Sequence, residues 1–286
     1  MPTGFALDPD QGLSEADEVR LVRLAADLGY ESAWTNSGAD AGAFDRCLRW
    51  HDASGLPVGI SAVPASGRPA PFYAQHAQHL WDATNGRFTL VVGSGLLPRP
   101  AQAMRPYLTD LRQRLPAAMP LYVAALGPLM LGVAGELADG VALNWCTAEW
   151  IEWSRQTLVT AALAAGRPVP RVVEYVRTAV DPDAELARGR VAAAALRYAL
   201  GMPACGGSRH RTALQTQRLS PRSAPRACRD RRASNSCGWR PGSIFRSCGS
   251  WWPDPVTSNQ LAGSSRSAGR FADRGDLWKR STCSCR

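Results

Sequence analysis

Two short glycine-containing segments carry the groups best suited to chemistry. In both segments, these are backbone N–H groups. Gly93-Ser94-Gly95 follows an apolar run, and its glycines leave N–H groups accessible beside the Ser94 hydroxyl, which can donate to a phosphate oxygen. Ala125-Leu126-Gly127-Pro128 follows another apolar run, and Pro128 predicts the first turn of a helix. The N–H groups of that turn and the positive end of the helix dipole favour a bound phosphate.

The side chains of residues 1–205 offer few reactive combinations. His76 and His79 lie one helical turn apart without a third ligand nearby in sequence, so we expect a solvated helix face and no metal site. This part of the sequence has no serine nucleophile elbow, no phosphate-binding loop ending in Lys-Ser or Lys-Thr, and no paired Cys-x-x-Cys. Cys47 and Cys146 are expected to be small core residues. The catalytic residue stays unknown, and a bound cofactor would have to perform the chemistry.

A parallel α/β fold is predicted to hold these segments. Residues 56–63 and 88–92 are short and apolar, as strands buried on both faces are, and an apolar stripe with helical spacing lies between them. The alternation continues to residue 200 and predicts seven strand–helix pairs. Because no dinucleotide-binding glycine motif follows strand one, a TIM-type (β/α)8 barrel is favoured over an open sheet. The barrel is predicted to be incomplete, with strand eight missing.

Composition divides the chain into two unlike parts, residues 1–205 and residues 206–286. The first contains 17 Arg against 20 Asp and Glu, whereas the second contains 16 Arg and Lys against four Asp. Six of the eight cysteines lie at or beyond the boundary. The second part has few aliphatic residues and no sustained periodicity, so it cannot bury enough apolar surface to offset its chain entropy. We expect an α/β barrel followed by a disordered or irregular basic tail.

Two origins of the tail remain open. A shifted reading frame in GC-rich coding DNA would favour Arg, Ser, Cys, Trp, Pro and Gly, which are the residue types in excess here. Alternatively, the tail binds nucleic acid, with arginines contacting phosphates and Trp239, Trp251 and Trp252 stacking on bases. The scattered arginines follow no period or nucleic-acid-binding motif, which argues against this second reading.

The sequence also bears on location and partners. The N-terminus lacks the basic and apolar regions of a signal peptide, and no apolar run approaches the roughly 20 residues that span a membrane. We therefore expect a cytoplasmic protein without a membrane partner. The expected partner is a small-molecule substrate, and a homo-oligomer is left open.

Three blocks of the sequence resemble the luciferase-like family of flavin- or deazaflavin-dependent oxidoreductases. The blocks are LAADLGYESAW near the start, GRFTLVVGSG, and MPLYVAALGPLMLGVAGELADGVALNW over residues 119–145. They follow the family's order, and the resemblance covers residues 3–205. It implies a TIM-type barrel that uses coenzyme F420 or FMN for hydride transfer or for monooxygenation of a small organic substrate. Ala-Ala-x-Gly-Pro followed by GELADG is typical of the deazaflavin branch, so F420 is preferred.

The resemblance also implies roles for particular residues. Ser61 and Ala62 would form a bulge with a non-proline cis peptide that backs the middle of the cofactor ring. Gly93 and Ser94 would contact the cofactor, and Ala125, Leu126, Gly127 and Pro128 would hold its phosphate. Asn36, Asn144 and Trp145 are candidates for the substrate side.

One departure from the family limits the reaction. Some deazaflavin-dependent sugar dehydrogenases of the family carry Asp-His after strand two, whereas this chain has Ser37-Gly38. A carboxylate and an imidazole that could take a proton are therefore absent at that position, which argues against alcohol oxidation. Because strand eight is predicted to be missing, an inactive, truncated family member is the alternative function.

Overall fold

The computed structural model describes residues 2–201 and the backbone of residues 243–248, all within one compact unit, Met1–Trp251. The strands are β1 Thr3–Leu7, β2 Ser32–Thr35, β3 Val58–Pro64, β4 Phe88–Gly93, β5 Leu121–Ala124, β6 Gly140–Asn144, β7 Arg171–Arg177 and β8 Ser243–Cys248. The helices are α1 Glu15–Asp27, α2 Gly42–Ser54, α3 Ala70–Ala83, α4 Pro100–Arg114, α5 Pro128–Leu137, α6 Ala148–Ala164 and α7 Ala184–Gly201. The predicted domain boundary after residue 205 lies outside the described residues and stays a prediction.

The seven predicted strand–helix pairs are confirmed, and β1 to β7 pair in parallel in chain order. The described residues contain no eighth parallel strand–helix unit, so within this part of the chain the TIM-type pattern is incomplete, as predicted. The place of the eighth strand is nevertheless filled, because β8 pairs antiparallel with both β1 and β7 and closes the sheet. The prediction that no strand occupies this place was wrong. The segment SIFRSC has only two aliphatic or aromatic residues within a basic stretch, which explains why the sequence pattern did not reveal it.

Aromatic rings lying against glycines fill the barrel interior. A Cβ atom on Gly59 would lie 2.2 Å from the Trp34 ring, and one on Gly140 would lie 2.6 Å from the Tyr122 ring. Both rings are almost completely buried, within an interior cluster that also contains Val91, Ala142 and residues of β7. Glycine is therefore required at these two positions for close packing, since any side chain would displace a ring.

Most of the helix boundaries follow from local chemistry. The Ser14 hydroxyl accepts a hydrogen bond from the N–H of Asp17 and caps α1, as N-cap serines do. Helix α4 begins at Pro100 and contains Pro106 in its interior. Arg99 adopts a left-handed conformation (φ 46°) and turns the chain into α4, which local propensity does not predict.

Two glycines of α5 give a paired test of how this helix packs on α6. A Cβ atom on Gly135 would lie 2.5 Å from Cβ of Ala161, whereas one on Gly132 would meet nothing within 4 Å. We predict that Gly132→Ala raises the free energy of unfolding by about 0.5–1 kcal/mol, because alanine favours the helix. Gly135→Ala is predicted to lower it by about 1–3 kcal/mol through overpacking. Urea denaturation measures both values, and equal effects of the two substitutions would contradict this packing.

Candidate functional site

The C-terminal ends of β3, β4 and β5 form one side of the barrel mouth. The Ser61–Ala62 peptide bond is cis, and the pairing of β3 with β4 shifts register between Ser61 and Val63. The bulge and the cis bond that the resemblance implied are thus present. The C-terminal end of a barrel strand is where TIM-type enzymes place their chemistry.

Three small residues from these strands lie side by side at the mouth: Ala62, Gly93 and Ala124. A Cβ atom on Gly93 would lie 3.5 Å from Cβ of Ala124 and 3.8 Å from Cβ of Ala62, which are ordinary contact distances. All three residues are half-buried, and both alanines pack on the interior cluster below. We call these three residues the small-residue floor, because they leave room for a flat ring to lie against the strand ends.

The start of α5 lies beside this floor. Gly127 is the N-cap residue and Pro128 the first residue of the helix, so the next N–H groups, of Leu129 and Met130, belong to the open first turn. Ala125 is buried, and its N–H donates to the carbonyl of Ala142, so it is not available to an anion. The predicted anion site therefore depends on the first turn of α5 more than on the whole segment 125–128.

Neighbouring side chains fix the loops that follow β3 and β4. The N–H of Leu96 donates to the Ser66 hydroxyl at 3.0 Å, which joins the two loops. The Tyr73 hydroxyl donates to the carbonyl of Pro64 at 3.0 Å, and the Tyr107 hydroxyl donates to the carbonyl of Arg68 at 2.9 Å. Burial raises the pKa of both tyrosines, so their hydroxyls stay protonated and continue to donate. These hydrogen bonds therefore fix the loops that follow β3 and β4.

The opposite side of the mouth is polar and is organised around Asp8, which follows β1. One oxygen of its carboxylate accepts hydrogen bonds from the Asn36 amide at 3.0 Å and from the Tyr175 hydroxyl at 2.8 Å, and the other oxygen pairs with Arg177. The Arg177 guanidinium also donates to Asn144 at 3.4 Å and lies 4.2 Å from the centre of the Tyr175 ring. We call these five residues the polar network.

The β6–α6 turn, Asn144–Thr147, borders the polar network. Trp145 adopts φ 57°, an uncommon conformation for a bulky residue, and its ring centre lies 6.2 Å from that of Tyr198 near the end of α7. The N–H of Cys146 donates to Oε1 of Glu174 at 3.2 Å. Burial raises the pKa of Glu174 to about 8, against the opposing effect of that hydrogen bond.

The structure brings the predicted site residues to one end of the barrel, with Ser61, Ala62, Gly93 and the 125–128 segment on one side and Asn36, Asn144 and Trp145 on the other. Ser37 sits in the loop after β2, where its hydroxyl donates to the carbonyl of Gly38. Sequence reasoning missed Tyr175, Arg177, Glu174 and Tyr198. The alternation along β7 was the available signal, since it places Val173 and Tyr175 in the barrel interior and Glu174 outside.

Within the described residues, no cluster of three His, Cys, Asp or Glu side chains could hold a metal ion. None of the helices in the same part of the chain has the length and apolar character needed to cross a membrane. Cys47 is buried, as predicted, and burial raises its pKa. Cys146 is half-buried, belongs to the β6–α6 turn and packs against the edge of the core cluster, so it is only partly the core residue that was predicted.

The family comparison decides what this architecture represents. Residues 96–237 match the model of the luciferase-like monooxygenase family. This part of the chain, just under half of it, resembles that family. The match begins later than the predicted resemblance and runs beyond residue 205. It includes Gly127, Asn144, Glu174 and Arg177, which all lie at the candidate site.

Other proteins resemble this chain over different lengths. The 5,10-methylenetetrahydromethanopterin reductase of Archaeoglobus fulgidus is 31% identical over 97 residues, which cover 33% of this chain and only 29% of the reductase. The structure of the coenzyme F420-dependent tetrahydromethanopterin reductase from Methanopyrus kandleri superimposes with a TM-score of 0.59 at 20% identity, over 70% of this chain and 72% of that one.

A flavin enzyme shares the same fold. The oxygenating constituent of 3,6-diketocamphane monooxygenase from Pseudomonas putida, solved in complex with FMN, has a TM-score of 0.55 at 14% identity. The superposition covers 70% of this chain and 75% of that enzyme. At these identities the solved structures establish the fold of the chain and nothing finer.

The Asp8–Arg177 pair allows a test of the polar network. Both side chains are largely buried, with exposed fractions of 12% and 20%, and removing one partner leaves the other charge poorly solvated. We predict that Asp8→Asn and Arg177→Met each lower the free energy of unfolding by about 2–4 kcal/mol, and that the double substitution costs less than the sum. A double-mutant cycle by urea denaturation measures the coupling, and additive effects would contradict the pairing.

The raised pKa of Glu174 predicts a dependence of stability on pH. The unfolded chain releases this proton near pH 4.5 and the folded chain only near pH 8, so the folded state loses stability as pH rises between these values. Glu174→Gln removes the effect, and its stability relative to the wild type should increase by roughly 1–3 kcal/mol from pH 5 to pH 8. Denaturation at both pH values measures this difference.

The exposed Glu149 at the start of α6 provides the matched control, because Glu149→Gln changes the same chemical group without burial. This variant should follow the wild type at both pH values. A constant difference between Glu174→Gln and the wild type would contradict the predicted protonation.

Proposed function

We propose that the chain is an oxidoreductase that binds coenzyme F420, or alternatively FMN, against the small-residue floor and acts on a small organic substrate. The observation that carries the proposal is the floor itself. Ala62, Gly93 and Ala124 come from three adjacent strands, end the filled barrel interior, and leave a half-buried surface without bulky side chains. A flat tricyclic ring needs such a surface, since any larger side chain would occupy its place.

The start of α5 supports the same assignment. Its first-turn N–H groups and dipole favour a negative group beside the floor, and both cofactors carry a phosphate. Gly93 and Ser94 at the end of β4 are proposed to contact the chain that links ring and phosphate. Of the predicted segment, Leu126, Gly127 and Pro128 shape this turn, while the N–H groups of Leu129 and Met130 are proposed to bind the phosphate.

The proposed cofactors supply hydride transfer, or with FMN the activation of oxygen. The residues of the chain would bind and orient the substrate. Asn36 and Asn144 offer amide groups at the mouth, Trp145 offers aromatic surface, and the Asp8–Arg177 pair fixes their arrangement. A small substrate with at least one oxygen atom suits this mixture of amides and rings.

Coenzyme F420 is the preferred cofactor. The sequence over residues 119–145 is typical of the deazaflavin branch, and two of the similar proteins are reductases of tetrahydromethanopterin compounds, one named as F420-dependent. The FMN-bound monooxygenase with the same fold keeps FMN as the alternative. The cytoplasmic location and the possibility of a homo-oligomer remain predictions.

Fluorescence titration of the full chain with F420 and, in parallel, with FMN tests the proposal. We predict saturable binding of F420 with a micromolar dissociation constant. Gly93→Leu should weaken binding by at least about tenfold, or about 1.4 kcal/mol of binding free energy. The reason is that the leucine side chain would occupy the space above Ala62 and Ala124.

Two variants separate the loss of the site from the loss of the fold. Gly132→Ala, on α5 and away from any neighbour, should bind the cofactor as the wild type does. Gly93→Ala adds a single methyl group at contact distance from the floor and should remain folded with intermediate affinity. Absence of binding of both cofactors to the folded wild type would reject the proposal, and so would unchanged affinity in folded Gly93→Leu.

A further inference from the structure

The carboxyl group of Glu174 has no role in the proposed binding of cofactor or substrate, yet it is buried next to the site. Val173 and Tyr175 belong to the barrel interior, so Glu174 lies on the outer face of β7, behind the β6–α6 turn. Only 7% of the residue is exposed. Charged residues are almost never buried to this degree without a partner of opposite charge.

The contacts of Glu174 are few. Its Oε1 accepts the hydrogen bond from the N–H of Cys146, and its Oε2 is buried without a hydrogen-bond partner among the described residues. The titratable groups that face it are the thiol of Cys146 on the turn and the hydroxyl of Tyr198 on α7. On β8 the residue in register with Glu174 is Arg246.

The hydrogen bond to Glu174 is one of several that fix the β6–α6 turn at the mouth. Cys146 directly follows Trp145, whose left-handed conformation needs support from its surroundings. Asn144, one residue earlier, accepts the hydrogen bond from Arg177 and also bonds to Tyr198. A shift of the turn would therefore move Asn144 and Trp145 together and separate Trp145 from Tyr198.

We propose that Glu174 is a positioning residue of the candidate site, which fixes the β6–α6 turn in one position while its carboxyl group is neutral and shifts the turn when the group ionises and water enters behind it. This inference rests on the proposed function only in taking Asn144 and Trp145 as the substrate side. A neutral carboxyl group accepts from Cys146 at small cost. The ionised group accepts the same hydrogen bond, but its charge has no partner among the described residues, so ionisation requires water to enter behind the turn.

The titration behaviour of the neighbours is consistent with this assignment. Burial raises the pKa of Cys146 and of Tyr198, so both groups remain neutral in the range where Glu174 loses its proton. The pKa of Glu174 itself is raised to about 8 by burial. A change of the turn near neutral to mildly alkaline pH would then report on Glu174 alone.

Fluorine NMR of the full chain labelled with 5-fluorotryptophan tests the proposal directly. The resonance of Trp145 is assigned by its loss in Trp145→Phe. We expect this resonance to shift with a midpoint at about pH 8 in the wild type, and to stay constant over the same range in Glu174→Gln. The control Glu149→Gln, with its exposed carboxyl group, should behave as the wild type does.

Further variants identify the titrating group. Tyr198→Phe and Cys146→Ser should retain the titration, and Arg246→Gln should leave its midpoint within about half a pH unit. If Glu174→Gln does not unfold cooperatively, these three variants still test the proposal. A pH-independent Trp145 resonance in the wild type would overturn the proposal, and so would a titration that persists in Glu174→Gln. Loss of the titration in Tyr198→Phe or Cys146→Ser would also overturn it. A midpoint that moves by more than this half unit in Arg246→Gln would overturn it as well.

The cofactor titration separates this inference from the proposed function. Saturable cofactor binding together with a pH-independent Trp145 would reject the role of Glu174 and leave the oxidoreductase assignment intact. A Trp145 resonance that titrates as expected in a chain that binds neither cofactor would support the role of Glu174 in the turn and reject the assignment.

Discussion

The packing of two aromatic rings against glycines inside the barrel is the constraint on which the site depends. Trp34 and Tyr122 occupy the space that side chains at positions 59 and 140 would otherwise fill, and this close packing makes the interior a solid core. Burial of each ring contributes on the order of 1.5–3 kcal/mol. Because the interior is filled to this height, it has no space for a ligand, and the C-terminal ends of the strands are the candidate binding surface.

The mouth above this core is chemically divided. Strands β3 to β5 end in the small-residue floor, while β1, β2, β6 and β7 contribute the polar network around Asp8. A flat cofactor lying on the first side would present one face to the second side. This arrangement suits the proposed function of a chain with few reactive side chains, since a bound cofactor would supply the chemistry and the residues would position the reactants.

The fold was predictable from the sequence because each of the seven strands is a short apolar run between turn residues, and these patterns are local. The family resemblance also implied roles for Ala62 and Gly93. The polar network was not predictable in the same way: Asp8 and Tyr175 are 167 positions apart, and their hydrogen bond exists only once the barrel brings β1 near β7. Either residue taken alone resembles an ordinary loop or strand residue.

Two further features depended on tertiary structure. The burial of Glu174 follows from the β6–α6 turn folding over the outer face of β7, and no sequence periodicity reports that contact. The pairing of β8 with β1 and β7 is non-local, and the surrounding composition gave no sign of a strand. The rest of the tail lies outside the described residues. Its origin in a shifted reading frame stays a prediction.

A crystal structure of the full chain grown with coenzyme F420 tests the central claim most directly. The account predicts that the ring lies against Ala62, Gly93 and Ala124, with the phosphate at the first turn of α5 and the exposed face of the ring towards Asn144 and Trp145. A cofactor bound elsewhere, or a ring held against the polar network with the floor covered by protein, would contradict it.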